Sequence, residues 1–334
     1  MKSIVIGKGL GLDKLQLVNK ESVGPDKGEI KVRWHASSLN YHDYLVAIGA
    51  IPVSEGRVPM SDGAGEIIEV GEDVNEWKSG DRVMSMFFPE WSSGKPEFKK
   101  IKSISGESVN GFLTEESCVP AYAVTRMPEA YTYPEAACLP CACLTAWNAL
   151  VELGNIQNKQ KLLIEGTGGM SVFALLLAQQ YGLDIYATSG SESKFDKLKS
   201  LGVFNVVNYR NDENWGKSIF MLSGMGVDHI IDVGGGSTMK QSIEAACMGG
   251  SIYSIGILGN GRKGEITFPK LFFKFLKLQG LAVGSRAMQN RMVQFINDTG
   301  MKPIIDRSFS FDQIKEAFSY QASGKQFGKI VLEW

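Results

Sequence analysis

Across the first 125 residues apolar and polar positions alternate in short runs. The segment Glu29-Ile-Lys-Val-Arg-Trp-His-Ala36 keeps a period of two, the mark of a strand with one face buried. Residues 63–71 and 81–87 repeat it, punctuated by Gly71 and the turn Ser79-Gly80-Asp81. The pattern predicts a compact β module. Residues 88–117, beginning Pro89-Glu-Trp-Ser-Ser-Gly-Lys-Pro96, break the period; a polar excursion of that length often serves as a lid. From about Pro134 the texture changes to short apolar strands separated by helical stretches. The strands fall at 161–165, 184–188, 206–207, 228–233, 250–256 and 278–283. Residues 170–181 are apolar nearly all round, which predicts a buried helix, and 192–201 predict a second helix stopped by Gly202. Six strands alternating with helices predict an α/β fold with a doubly wound parallel six-stranded sheet, covered on both faces. The chain's end predicts a strand pair around an amphipathic helix at 311–322.

Length and composition agree with two domains: 334 residues, at roughly 100–200 per domain. A 44% apolar content is enough for sizeable cores and speaks against disorder. Lys and Arg number 35 against 36 Asp and Glu, so the net charge is −1. That balance lacks the basic footprint of a nucleic-acid or membrane-surface binder, and neither partner is expected. The 38 glycines, with no collagen period, predict tight turns and close backbone approaches. Only three consecutive apolar residues precede Gly7, short of the roughly 7–15 of a secretory segment. The longest apolar run, 172–178, falls far below the roughly 18 residues of a membrane span. The expectation is a cytoplasmic chain whose cysteines, Cys118, Cys138, Cys141, Cys143 and Cys247, are reduced. Cys138, Cys141 and Cys143 lack a second pair downstream and have no histidine nearby, so they read as small apolar side chains around Pro140.

Gly166-Thr167-Gly168-Gly169-Met170-Ser171 joins the first strand of the alternating half to its apolar helix. As G-x-G-x-x-[G/A] it has Ser171 in the third small position. Gly166 permits a tight turn, Gly168 admits a pyrophosphate, and the helix N-terminus supplies unpaired N–H groups and a positive dipole end. The spacing predicts dinucleotide binding. An NAD site places an acid about twenty residues on, at the end of the second strand. Here that position reads Thr188-Ser189-Gly190-Ser191, followed by Lys194. Hydroxyls and an ammonium accept a 2′-phosphate that a carboxylate would repel, so the predicted cofactor is NADP, bound as NADPH.

Ordered matches now run the length of the chain. They are Gly28-Glu29-x-x-Val32, Ser38-Leu39-Asn40-Tyr41-x-Asp43, Gly63-x-Gly65-x-x-x-x-Val70-Gly71 and Gly80-Asp81-Arg82-Val83. They continue with Leu139-Pro140 to Thr145-Ala146-Trp147, the 166–169 turn, Gly226-x-Asp228 and Phe327-Gly328-Lys329-Ile-Val. In these the chain resembles the medium-chain dehydrogenase/reductase superfamily. The resemblance implies a GroES-like β domain at 1–125, a Rossmann domain at 126–286, and a return to the first domain at 287–334. Zinc enzymes of that superfamily carry a Cys and a Gly-His-Glu block in the first domain. Here Asn40 and Met60-Ser61-Asp62 stand in those places, and only Cys141 matches a ligand. One thiolate does not hold a catalytic zinc, which needs three protein ligands. The chain therefore resembles the zinc-free branch, the quinone oxidoreductases and zinc-independent alcohol-dehydrogenase-like enzymes.

That resemblance implies hydride transfer between nicotinamide and a small carbonyl-type acceptor, a quinone or an α,β-unsaturated carbonyl. It implies substrate-oxygen binding or proton donation by Asn40 and Tyr41, with Tyr44 a competing phenol, and Thr145 beside the nicotinamide. Around the cofactor it implies Gly166, Thr167, Gly168, Gly169, Met170 and Ser171 at the phosphates, and Ser189, Lys194, Tyr209 and Arg210 at the adenosine phosphate. Ile255, Gly256, Leu258, Gly284 and Ser285 would hold the carboxamide, with Lys329 near the cofactor. It also implies a homodimer paired along the strand at 278–283. His42 reads as a proton relay or an exposed side chain, and His35 and His229 as structural or exposed. An alcohol-dehydrogenase-type oxidoreductase and a non-catalytic, crystallin-like NADPH binder remain as alternatives. A Rossmann methyltransferase is disfavoured by the missing acid after the second strand and by the added β module.

Overall fold

The computed structural model describes residues 1–9, 11–258 and 261–334. It divides into two compact units, Met1–Leu144 with Val283–Trp334, and Thr145–Ala282. The sequence pattern places the first boundary near 125. The difference comes from the helical stretch Tyr133–Leu153. Its first residue stacks on His35 at 4.4 Å between ring centroids and lies under the Arg82 guanidinium at 5.1 Å, so its opening turns belong to the first unit. This stretch is long and apolar enough to cross a membrane, and 78% of its most apolar window is buried inside the protein. Prolines hide it from a search for apolar runs. Pro134 sits in the first turn, where its missing N–H costs nothing, and Pro140 opens the wide π-type turn Leu139–Cys143.

The first unit is built from β1 (Lys2–Ile6), β2 (Leu15–Asn19), β3 (Glu29–Ser38), β4 (Ala64–Val70), β5 (Arg82–Ser85), β6 (Glu116–Pro120) and β7 (Val124–Arg126). Strands β1 and β2 form an antiparallel hairpin. The seven-stranded sheet runs β14-β15-β3-β4-β5-β7 with β6 also on β3, where β14 is Ile305–Ser310 and β15 is Lys329–Glu333. Alternation along β3 turns Ile30, Val32 and Trp34 into one core with Ile67, Val83 and Phe112. The 88–117 excursion is packed down at its two ends. Phe88 and Trp91 are buried, Phe87 meets Phe88 edge-on at 4.8 Å, and Leu113 joins the second core of Leu39, Val46 and Phe318. These aromatics and Leu113 hold the two ends of the excursion against the β module, while residues 92–99 between them are exposed.

The second unit holds β8 (Lys161–Glu165), β9 (Asp184–Ser189), β10 (Asn205–Asn208), β11 (Val227–Asp232), β12 (Ala246–Ser254) and β13 (Lys277–Gly280). All pair in parallel, in the order β10-β9-β8-β11-β12-β13. This is the doubly wound six-stranded sheet that the alternating pattern predicts. Its strand order reverses between β8 and β11, the place where such sheets open a crevice at their carboxyl ends. Helix Gly169–Gln180 buries Val172, Phe173, Ala174, Leu175 and Leu177, as its unbroken apolar run requires. Strand β13 stops at Gly280, short of the predicted 283, and all four of its residues are exposed.

Candidate functional site

Gly166 follows directly on β8 with φ +71°, a left-handed conformation in which any side chain is strained. Gly168 is different. It caps the helix Gly169–Gln180 at φ −73° and ψ 173°, which any residue adopts, and a Cβ built on it meets no protein atom within 4 Å. Neither backbone strain nor packing explains that glycine, so the open space before it is suited to a ligand lying against the helix N-terminus. Thr167 and Ser171 are buried beneath the turn, and Ser171 Oγ donates to the Glu165 carbonyl at 2.8 Å. A serine serves in the third small position because its hydroxyl closes the turn on its own strand. Gly169 and Met170 form the first residues of the helix.

At the carboxyl end of β9, Ser189 is buried and its Oγ accepts from the Ser191 N–H at 3.3 Å. A Cβ on Gly190 would stand 2.6 Å from Tyr209 Oη and 2.9 Å from Arg210 Nε. Tyr209 and Arg210 therefore lie across this strand end, with the half-buried Lys194 one turn on. The nearest acid in sequence, Glu192, accepts from the Asn208 and Asn211 amides at 3.2 Å each. Ile255, Gly256 and Leu258 leave β12 beside the β11 end: Ile255 N–H donates to Asp232 O at 2.9 Å and Leu258 N–H to Val233 O at 3.0 Å. A Cβ on Gly256 would come 2.5 Å from Val233 O, so a glycine is needed for this close approach.

Gly284, Ser285 and Lys329 belong to the first unit, with Asn40 and Tyr41. Ser285 caps helix Arg286–Thr299, accepting from Met288 N–H at 3.3 Å. Lys329 and Asn40 are brought into direct contact. Lys329 Nζ donates to Asn40 Oδ1 at 2.7 Å and to Leu39 O at 2.9 Å, and lies 3.5 Å from Asp62 Oδ2. Asn40 Nδ2 donates to Asp62 Oδ2 at 2.9 Å and to Ser61 Oγ at 3.2 Å, while Ser38 Oγ adds a third donor to Asp62 at 2.8 Å. Both polar ends of the Asn40 amide are thus engaged inside the cluster, where they orient the ammonium and the carboxylate. Asp43 accepts the Asn40 and Ser61 N–H groups at 3.0 and 2.8 Å. Asp62 is completely buried and its Oδ1 has no partner. Burial, opposed by the Lys329 charge, raises its pKa to about 6.

This donor set does not fit a catalytic zinc. An ammonium already supplies the positive charge beside Asp62, and an amide stands where a thiolate is needed. Burial pushes the Cys138 thiol up to about 12 and Cys141 well above its ordinary value. Among the described residues no three His, Cys, Asp or Glu side chains converge as metal ligands.

Tyr41 opens helix Tyr41–Ile48 and is 42% exposed, its ring 6.1 Å from the half-buried Tyr44. Thr145 is the first residue of the second unit and is buried. His42 is half-buried, with Nε2 2.7 Å from Glu107 Oε2, so the exposed reading does not hold for it. His229 is a core histidine between Tyr253 and Gln160, at 3.2 and 3.0 Å. Sequence reasoning passed over Asp62 as a site residue, although an acid among the apolar and small residues before β4 is a signal for it.

Residues 26–129 match the alcohol dehydrogenase GroES-like domain, and residues 169–298 the zinc-binding dehydrogenase domain. A zinc-type alcohol dehydrogenase-like protein of Schizosaccharomyces pombe is 36% identical over 329 residues, covering 95% of each chain. An NAD-dependent alcohol dehydrogenase of known structure superposes with a TM-score of 0.90 at 27% identity, covering 100% of both chains. The quinone oxidoreductase of Coxiella burnetii gives 0.81 at 26%, covering 100% of this chain and 99% of that one. With its GroES-like β unit, its parallel six-stranded sheet and this whole-length likeness, the chain belongs to the medium-chain dehydrogenase/reductase superfamily of nicotinamide-dependent oxidoreductases.

Proposed function

We propose that the protein is a zinc-independent, NADP(H)-dependent oxidoreductase that transfers hydride between nicotinamide and a quinone or α,β-unsaturated carbonyl. The observation that carries the cofactor part is the unfilled space before Gly168, at a helix N-terminus on the carboxyl end of β8. The choice of NADP over NAD is supported by the basic end of β9, where the Arg210 guanidinium lies against Gly190 and no carboxylate stands at 188–191. Arg210 and Lys194 would hold a 2′-phosphate through charge-assisted hydrogen bonds.

When bound, the nicotinamide supplies the hydride. The chain's own part is to hold the acceptor's oxygen and deliver a proton to it. In this proposal the exposed phenol of Tyr41 does so, and the Lys329–Asp62–Asn40 cluster fixes the end of the helix that carries it. An acceptor polarised by its own conjugation needs no Lewis acid, only orientation and a donor at the developing enolate. Thr145 would act on the nicotinamide side.

A panel of quinones, enones, enals and simple alcohols with each cofactor tests the proposal. NADPH is expected to exceed NADH in kcat/KM. Arg210→Ala and Lys194→Ala each should lower the NADPH value by about 10–100-fold, one to two charge-assisted contacts, and leave the NADH value unchanged. In the same assay Tyr41→Phe should lower kcat on an enone by roughly 100-fold. A native preference for NADH overturns the cofactor assignment, and an unchanged kcat removes Tyr41. NADPH binding with no turnover of any panel member would make the protein a binder, not an enzyme.

The proposal includes a homodimer joined along β13. All four residues of that edge strand are exposed, and Phe268, Phe272, Phe273 and Phe275 beside it are more than half exposed, an apolar surface that a monomer does not usually leave open. Sedimentation velocity returning a 36.5 kDa monomer at micromolar concentration would exclude it.

A further inference from the structure

Two acids close apolar strands in the second unit: Glu165 ends β8 and Asp232 ends β11. The strands are neighbours, and the two residues lie where the strand order reverses. Glu165 is 3% exposed and Asp232 not at all. Among the described residues no Lys, Arg or His forms an ion pair with either. Between them stands one hydroxyl. Ser242 Oγ, from helix Met239–Ala245, lies 2.7 Å from Glu165 Oε1 and 2.8 Å from Asp232 Oδ2.

A hydroxyl has a single proton and donates to one oxygen at a time. Both short contacts are hydrogen bonds only when one carboxyl is itself protonated and donates to Ser242. The other partners decide which. Asp232 Oδ1 accepts from Gly235 N–H and Thr238 Oγ1, both at 2.8 Å, the setting of a carboxylate. Glu165 has only looser backbone donors, the Val233 N–H at 3.3 Å from Oε2 and the neighbouring Gly234 N–H. The proton therefore sits on Glu165, in the order Glu165 to Ser242 to Asp232. Burial and the facing Asp232 charge raise Glu165 to about 8, and burial raises Asp232 as well.

We infer that Glu165 and Asp232 form a proton-holding pair that positions the turn at Gly166, and that a dinucleotide binds with uptake of this proton. The inference rests on the dinucleotide reading above. Glu165 is the residue before the turn, and Asp232 is the residue before the 233–238 loop, so the shared proton ties the two loops at the end of the sheet. Losing it leaves two buried carboxylates with one hydroxyl between them, and they repel. The negative charge then stands directly behind the turn that would take a pyrophosphate. Binding an anion there raises the pair's affinity for the proton, and by reciprocity the proton raises affinity for the anion. The groups facing Glu165 are Asp232 of β11, Ser242 of its helix and the N–H groups of the 233–234 loop, so Asp232 is the charged one.

Titration calorimetry with NADPH in two buffers of different ionisation enthalpy counts the protons taken up. Above pH 7.5 the cofactor's 2′-phosphate, with a pKa of about 6, no longer contributes. Uptake approaching one proton is expected between pH 8 and 9, with Kd weakening by up to about tenfold per pH unit. Glu165→Gln keeps a donor toward Ser242 but does not titrate, so it should bind NADPH with a flat pH profile. If that variant fails to fold, the proton count on the native protein alone decides, and Asp232→Asn serves as the second variant. No uptake by the native protein, or equal uptake by Glu165→Gln, overturns the inference while leaving NADPH binding intact. A folded native protein that binds neither NADPH nor NADH overturns the dinucleotide reading, and this inference with it.

Discussion

Replacing Gly168 by alanine should leave the melting temperature within about one degree of native and weaken NADPH binding by at least about 30-fold, or ~2 kcal/mol. The two halves of that result have separate causes. The backbone at Gly168 is extended, at φ −73°, and a methyl group there touches nothing in the protein, so the folded state loses nothing. The same methyl group occupies the space in which a pyrophosphate would reach the N–H groups of the helix start. Gly166→Ala provides the contrast. Its φ of +71° strains any side chain, so this variant should lose about 1–2 kcal/mol of stability as well as cofactor affinity. Fluorescence titration with NADPH beside thermal melts of the three proteins checks both. Gly168→Ala binding NADPH at native strength would mean that the space before the turn is not the phosphate site.

The strand, turn and helix around Gly166 and Gly168 were legible because their causes are local. A strand, two glycines and a helix are adjacent in sequence, and the period of apolar residues places all three. The six-stranded sheet was legible for the same reason, since each parallel strand is buried on both faces and so reads as a short apolar run. The cluster at Asn40 was not. Asn40, Asp62 and Lys329 stand far apart along the chain and meet because β15 pairs antiparallel with β3 and carries Lys329 to the end of β3. No period or spacing encodes that meeting. Resemblance named Asn40 and Lys329 as members of a site but not as partners of one another. The Glu165–Asp232 pair lies between these extremes. A lone acid at the end of Leu162-Leu-Ile and another after Ile230-Ile each mark a buried carboxyl in the sequence, while the hydroxyl that joins them comes from a separate helix.

Lys329→Met should destabilise the first unit by about 3–5 kcal/mol at pH 8, and by much less at pH 5. Lys329 is 3% exposed and Asp62 is fully buried, so water screens neither partner. Without the ammonium, Asp62 keeps two donors on one oxygen and none on the other, and Asn40 Oδ1 and Leu39 O lose their donor. The pH dependence follows from the carboxyl. Its folded pKa, about 6, already lies above the ordinary 3.8 even with Lys329 present. The native protein therefore loses stability as pH rises from 3.8 to 6, where the folded state alone still holds the proton, and then levels off. Removing the opposing charge raises that folded pKa further. The variant should go on losing about 1.4 kcal/mol per pH unit beyond 6, through the range in which the native curve is flat. Adding Asp62→Asn to Lys329→Met removes the titrating group, so the double variant should be flat above pH 6 and more stable at pH 8 than the single one. Urea unfolding followed by tryptophan fluorescence follows this unit through Trp34, Trp77, Trp91 and Trp334, once Trp147 and Trp215 of the second unit are replaced by phenylalanine in every protein compared. Parallel pH curves for the native and Lys329→Met proteins would show that the ammonium does not hold the Asp62 charge, and the cluster would then owe its geometry to hydrogen bonds alone.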